Sequence, residues 1–155
     1  MKREELIVGD WVMSRRYIGP SRVYATYLNP SDERFAVTII NESEAGSTIA
    51  GHSMDELTPI PITNEILEKN GFYRISAMDA EMDAYDEDFV YKLETNEVYV
   101  NVEIEYDRAD LRWLHIRVKG EVGEKLIKFV HELQHALKFF GVEKEIELWT
   151  HTNRT

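Results

Sequence analysis

The stretch VHELQH, residues 130–135, sets His131, Glu132 and His135 in the spacing H-E-x-x-H. On a helix, histidines four residues apart share a face and can both ligate Zn²⁺, while the glutamate between them polarises a metal-bound water for hydrolysis. A catalytic zinc also needs a third protein ligand and a cleft. The metzincin extension would put a glycine where this chain has Lys138 and a third histidine where it has Gly141. The gluzincin arrangement takes a glutamate from a second long helix, whereas Glu143, Glu145 and Glu147 lie just past the helix end, and nothing directs His115 or His151 to the pair. The spacing is therefore read as the chance product of a charged helix face, with no cofactor expected. A zinc-dependent metallohydrolase with His131 and His135 as ligands and Glu132 as base is the alternative.

The element that must position these residues is a long C-terminal helix, expected to begin near Glu121 after Gly120 and to end at Gly141. At about 100° per residue, Val122, Leu126, Phe129, Leu133, Ala136, Leu137 and Phe140 form one apolar stripe. His131 and His135 project about 160° from its centre, and so are expected in solvent. The helix needs a sheet to cover. Residues 88–94, 97–106 and 111–118, joined by turns at Thr95-Asn96 and DRAD, read as a three-strand antiparallel meander. Val98, Val100, Val102 and Ile104 fall on the face to be covered, opposite Tyr99, Asn101, Glu103 and Glu105.

Upstream, residues 1–58 alternate β-rich runs with turn signals about every ten residues. The runs 9–13, 21–28, 34–40 and 48–53 predict an SH3-like small β-barrel entered by a bend at Gly9-Asp10. LTPIPIT, 57–63, is extended because its prolines lack amide donors, and is expected to lead out of the barrel. Thr63 then caps a short helix, 64–70, that Gly71 stops, and FYRISA continues as a strand. The whole is an α+β protein: an SH3-like barrel lobe, 1–58, and an antiparallel sheet with one long helix, 59–155.

Composition narrows the function. With 18 Lys and Arg against 29 Asp and Glu the chain carries a net charge of -11, which opposes binding to phosphate backbones. Carboxylate mimicry of nucleic acid would need a long acidic surface, whereas these charges are interleaved with aromatics. No cysteine is present, which removes thiolate ligands and nucleophiles. Neither a secretory signal nor a membrane span is legible, so a cytoplasmic protein is expected.

Two segments carry a resemblance: DELTPIPITNEILEKNGF, 55–72, and IKFVHELQHALKFFGVEKEIEL, 127–148. With Gly9-Asp10-Trp11-Val12, which matches G-[DN]-x-V, they resemble an uncharacterised small protein family of Bacteroidetes and their phages. The resemblance spans most of the chain in order. In that family the position of Glu132 is often Gln and that of His135 usually Asn, while the stem Val130-His131, Leu133-Gln134 is kept. The resemblance thus implies that His131 and Gln134 form the polar pair of interest. It implies architecture and supplies no mechanism.

The remaining motifs are read as structural. Asp79, Glu81 and Asp83 alternate as in a calcium loop, but Ala84 and Val90 stand where an EF-hand needs glycine and glutamate. Ser14, Ser47 and Ser53 lack the glycine-framed elbow of a serine hydrolase, and Gly51-His52-Ser53-Met54-Asp55 reads as a capped turn. Among the barrel aromatics Trp11, Tyr17, Tyr24, Tyr27 and Phe35, most are core, and Tyr17, beside Arg15 and Arg16 in a turn, is expected outside. The reading is a non-catalytic binding or protein-interaction module, related to phage or mobile-element proteins. Its partner is an unidentified protein or small molecule, met through His131, Gln134, Trp11 or Tyr17, and a small-molecule sensor is a third reading.

Overall fold

The computed structural model describes residues 5–28, 30–32, 34–43, 46–76, 79, 89–93, 97–101, 112–118 and 121–148. The fold is α+β and rich in strands. The chain divides into two compact units, residues 1–60 with 147–155, and residues 61–146. Among the described residues no helix is long and apolar enough to cross a membrane.

The first unit is a curled, five-stranded antiparallel sheet, a half-barrel. Its strands are β1 (Trp11–Ser14), β2 (Pro20–Leu28), β3 (Phe35–Ser43), β4 (Gly46–Ser53) and β5 (Leu57–Pro59), in the order β4-β3-β2-β1-β5. The entering bend lies where Gly9-Asp10 places it: Gly9 has φ 97°, and the Asp10 carboxylate accepts the amide of Ile7 at 2.8 Å. Alternation then sends Val12, Val23, Val37 and Ile39 inward, where with Leu6 and Leu57 they form the core. Leu57–Pro59 corrects one expectation. The segment does not leave the barrel but closes the order as β5, pairing Val12 with Pro59 and Ser14 with Leu57. An edge position tolerates the amide that Pro59 lacks.

The second unit is a five-stranded antiparallel sheet in the order β10-β9-β8-β7-β6, from β6 (Phe72–Ser76), β7 (Phe89–Leu93), β8 (Glu97–Asn101), β9 (Arg112–Val118) and β10 (Glu121–Ile127). Its helices are α1 (Asn64–Lys69) and α2 (Val130–Phe139). α1 begins and ends as its sequence dictates: the Thr63 hydroxyl accepts the amide of Ile66 at 3.2 Å, and Gly71 takes φ 83°. Val98 and Val100 are fully buried, as the alternation requires. The continuation of that strand over 102–106, the turns at Thr95-Asn96 and DRAD, Glu81, Asp83 and His151 lie outside the described residues.

The long helix is the main correction. Residues 121–127 are strand β10, paired over seven positions with β9, and only Val130 onward is helical. Val122, Leu126 and Phe129 fit the spacing i, i+4, i+7, but Val122 and Leu126 also fit alternation. Val122 and Leu126 are exposed, while Ile127 on the other face is fully buried and Gly123 lies beneath the ring of Phe140. Gly123 would weaken a helix interior by about 1 kcal/mol relative to Ala. In β10 its missing side chain makes room for that ring. Leu133, Ala136 and Leu137 are buried, as are Leu67, Phe72, Leu93 and Leu114, and the amide of Ile62 donates to the carbonyl of Lys128 at 3.0 Å.

Candidate functional site

The H-E-x-x-H residues are not arranged as the sequence suggests. His131 is 2% exposed rather than solvent-facing. The chain turns sharply into α2 at Phe129, whose ring stacks on His131 with centroids 5.8 Å apart and planes 9° from parallel. His135, half-buried, meets the same imidazole edge-on at 5.8 Å. Gln134 is half-buried beside them. Removing Val122 and Leu126, which belong to β10, leaves the phase of the apolar stripe unchanged, so His131 is buried by what packs on the start of the helix, the Phe129 ring among it, and not by a shift of helix face.

Glu132 is occupied differently from a general base. Its Oε2 accepts the amides of Lys128 at 2.7 Å and Phe129 at 3.0 Å, satisfying donors at the helix start. Among the described residues no group of three or more His, Asp or Glu is placed to hold a metal ion. Glu132→Ala is expected to lower the unfolding free energy of the 61–146 unit by about 1 kcal/mol in urea titrations. Unchanged stability would show that the carboxylate is not needed as a cap and would reopen its role as a base.

The half-barrel assembles a second polar cluster that the sequence does not announce. β1 and β4 are separated by two strands, which in a flat sheet would set them about 14 Å apart. The curl nevertheless brings Ser14 Oγ to within 3.3 Å of His52 Nδ1. His52 points inward from β4 and is 2% exposed, and Tyr17 meets its ring edge-on at 5.5 Å. The chain then makes a single 3-10 turn, Met54–Glu56, with Ser53 as its cap: the amide and hydroxyl of Ser53 donate to Glu56 Oε2 at 3.0 and 3.3 Å. The other oxygen, Oε1, takes Arg16 Nε at 2.7 Å. The capped turn expected around Gly51-His52-Ser53-Met54-Asp55 is thus present, and Glu56 ties it to the β1-β2 connection.

Serine, histidine and glutamate in one cluster raise the question of a hydrolytic relay. A relay needs the nucleophile and the acid on opposite imidazole nitrogens. Here both approach Nδ1, with Glu56 Oε2 at 3.7 Å, and Ser14 Oγ already accepts the amide of Arg16 at 3.1 Å. Ser14 is buried, and the buried His52 Nε2 meets no hydrogen-bond partner among the described residues. The cluster can therefore fix a turn but cannot present an activated hydroxyl. Burial, then the nearby Arg16 guanidinium, hold the His52 pKa below its ordinary 6.5, with Glu56 pulling the other way. Glu56 is held below the usual carboxylate range, first by the Ser53 amide and then by Arg16.

Around this cluster the expected aromatic anchors are redistributed. Tyr17 is half-buried against the core rather than free. Trp11 is 5% exposed, and the guanidinium of Arg22, its cross-strand partner, lies 4.5 Å from the ring centroid. The residue that stands out is the neighbour of Tyr17: Ile18 is 81% exposed. Comparison with protein-family models, with curated proteins and with solved structures finds no match to this chain.

Proposed function

We propose that this chain is a non-catalytic binding module that acts by contact with a partner protein, and that its contact surface is the β1-β2 turn, Arg15–Gly19, beside the 3-10 turn. The observation that carries this reading is Ile18, an aliphatic side chain left 81% exposed on a turn that is held from three sides. Arg16 is bound to Glu56, Tyr17 is packed on His52, and the Arg15 amide donates to the Glu56 carbonyl at 3.1 Å. An apolar side chain on an immobilised turn loses little conformational freedom on binding, so more of its burial appears as affinity. Tyr17 remains part of this surface in a supporting role.

The same proposal takes the half-barrel as SH3-like. The strand order β4-β3-β2-β1-β5, with one 3-10 turn between β4 and β5, supports that reading. Kinship with phage or mobile-element proteins rests on the two segments quoted above.

A photo-crosslinking residue at Ile18 is expected to trap one discrete protein in cells, and the same residue at exposed Glu65 is expected to trap none. Arg16→Ala, which frees the turn, is expected to reduce the Ile18 adduct severalfold while the fold is retained. Equal adducts from both positions, or none from Ile18, would overturn the proposal.

A further inference from the structure

A sheet edge exposes a row of backbone donors and acceptors, and proteins guard such edges with charge, proline or brevity. Among the described residues, three of the four sheet edges are guarded. β5 is three residues long and contains Pro59, β6 carries Arg74, and β10 carries Glu121, Glu124 and Lys125. β4 is different. It ends its sheet, runs for eight residues, and its sequence GSTIAGHS has neither a charged residue nor a proline. Ser47, Thr48 and Ile49 are all exposed, Ile49 at 60%.

We infer that the β4 edge pairs with the β4 edge of a second copy of this chain, antiparallel about a two-fold axis at Ile49. Charge decides between occupants. An extended basic peptide is drawn to the chain as a whole but finds no carboxylate on the strand itself to pair with its side chains. Two copies each carrying a charge of -11 can approach closely only where neither presents acid. The register then places Ile49 against Ile49 of the second copy, and Ser47 against its Gly51. Cross-strand pairing puts Ile40 beside Ile49 on the outer face, and the Tyr27 hydroxyl reaches toward Gly51 there. The join thus makes one apolar strip across four strands. On that face Glu42 sits beside Ser47. The two Glu42 side chains would be about 20 Å apart, well beyond the Debye length of about 8 Å at physiological salt.

An interface of one strand pair and its flanking side chains falls at or below the roughly 1,200 Å² of a stable complex, so the dimer is weak and concentration-dependent. This interface is separate from the turn surface, and the Ile18 reading can fail without it.

Sedimentation velocity on the intact chain is the test. The mass is expected to rise from 18.1 kDa toward twice that value across the micromolar to millimolar range, and to rise further with added salt, which screens the repulsion. Ile49→Lys and Ile49→Glu, at a well-exposed site, are each expected to weaken association at least about tenfold with an unchanged circular dichroism spectrum. An equimolar mixture of the two is expected to restore it. The proposal is overturned if the parent stays monomeric throughout, if Ile49→Lys associates like the parent, or if the folded variants fail to rescue each other. It is overturned equally if β4 amides gain protection from hydrogen exchange only when an extended peptide of alternating Lys and Val is added, since that would give the edge to another occupant.

Discussion

Replacing Gly123 by alanine lowers the unfolding free energy of the 61–146 unit by about 2 to 3 kcal/mol, far more than one added methyl group costs at an ordinary strand position. The reason is geometric. α2 ends at the cap residue Phe140, whose ring lies over β10 in the space a Cβ on Gly123 would occupy. Two relaxations are open. The ring, half-buried where it lies, can swing out, which forfeits part of the roughly 1.5 to 3 kcal/mol that full burial of a large apolar side chain provides. Alternatively β10 can move, which disturbs its seven-residue ladder with β9. Phe140 also meets Phe139 edge-on at 5.2 Å, so rotation is not free. Because both routes act through one ring, the effects of Gly123→Ala and Phe140→Ala are not additive. The double variant should be little worse than Phe140→Ala alone, a coupling of about 2 kcal/mol. Additive losses in urea titrations would show that the ring does not rest on this glycine.

Gly123 also marks where local reading of the sequence goes astray. The stretch EVGEKLI satisfies both helical and alternating patterns, and the partner that decides between them, β9, meets the middle of the stretch from seven to nine positions upstream, beyond the three or four residues over which a helical pattern is read. Only the glycine, costly in a helix interior, pointed to the strand. Where the deciding interaction is local, the sequence is a reliable guide: Thr63 caps α1, Gly71 ends it, Gly9-Asp10 bends the chain into β1, and Val98 and Val100 face the core. The α+β class follows from such signals.

The polar clusters obey the same distinction. The phase of the apolar stripe placed His131 and His135 in solvent, whereas His131 is buried beside the Phe129 ring at the helix start and His135 is half-buried against His131. The Ser14, His52 and Glu56 cluster joins residues about forty positions apart, through the curl of a sheet whose curvature no single segment encodes. Its one legible trace was the capped turn at Ser53. Exposure of Ile18 was equally hidden, because a lone isoleucine after Tyr17 in a turn looks no different from one that folds inward.

Acidification from about pH 6.5 to about pH 5 is expected to destabilise the half-barrel, and His52 is the main source. Its imidazole is 2% exposed and its pKa is depressed below 6.5, chiefly by burial and next by Arg16, with Glu56 opposing. Above pH 6.5 the ring is neutral in both the folded and the unfolded chain, so it adds no pH dependence there. As the pH falls through 6.5 the unfolded chain takes up a proton that the folded chain refuses. Stability then declines by up to about 1.4 kcal/mol per pH unit until the depressed folded-state pKa is reached. Of the groups facing the ring, Nε2 meeting no acceptor among the described residues and the ring edge of Tyr17 favour the neutral form, Ser14 Oγ lies toward Nδ1, and Glu56 Oε2 on the same side works against the refusal. Glu56, Asp55 and Glu65 are depressed as well, but a depressed carboxylate loses its contribution only as the pH falls from about its ordinary 4.5 or 3.8 toward the lower folded value. The two windows therefore separate. Urea titrations from about pH 7.5 to about pH 5 on the parent and on His52→Asn, which keeps a polar group near Ser14 but cannot take up the proton, isolate this one residue even though His131 is also buried. The parent should lose stability steeply across the window while the variant stays nearly flat. Parallel slopes would mean that His52 accepts its proton in place, and that the contacts among Ser14, His52 and Glu56 tolerate an imidazolium.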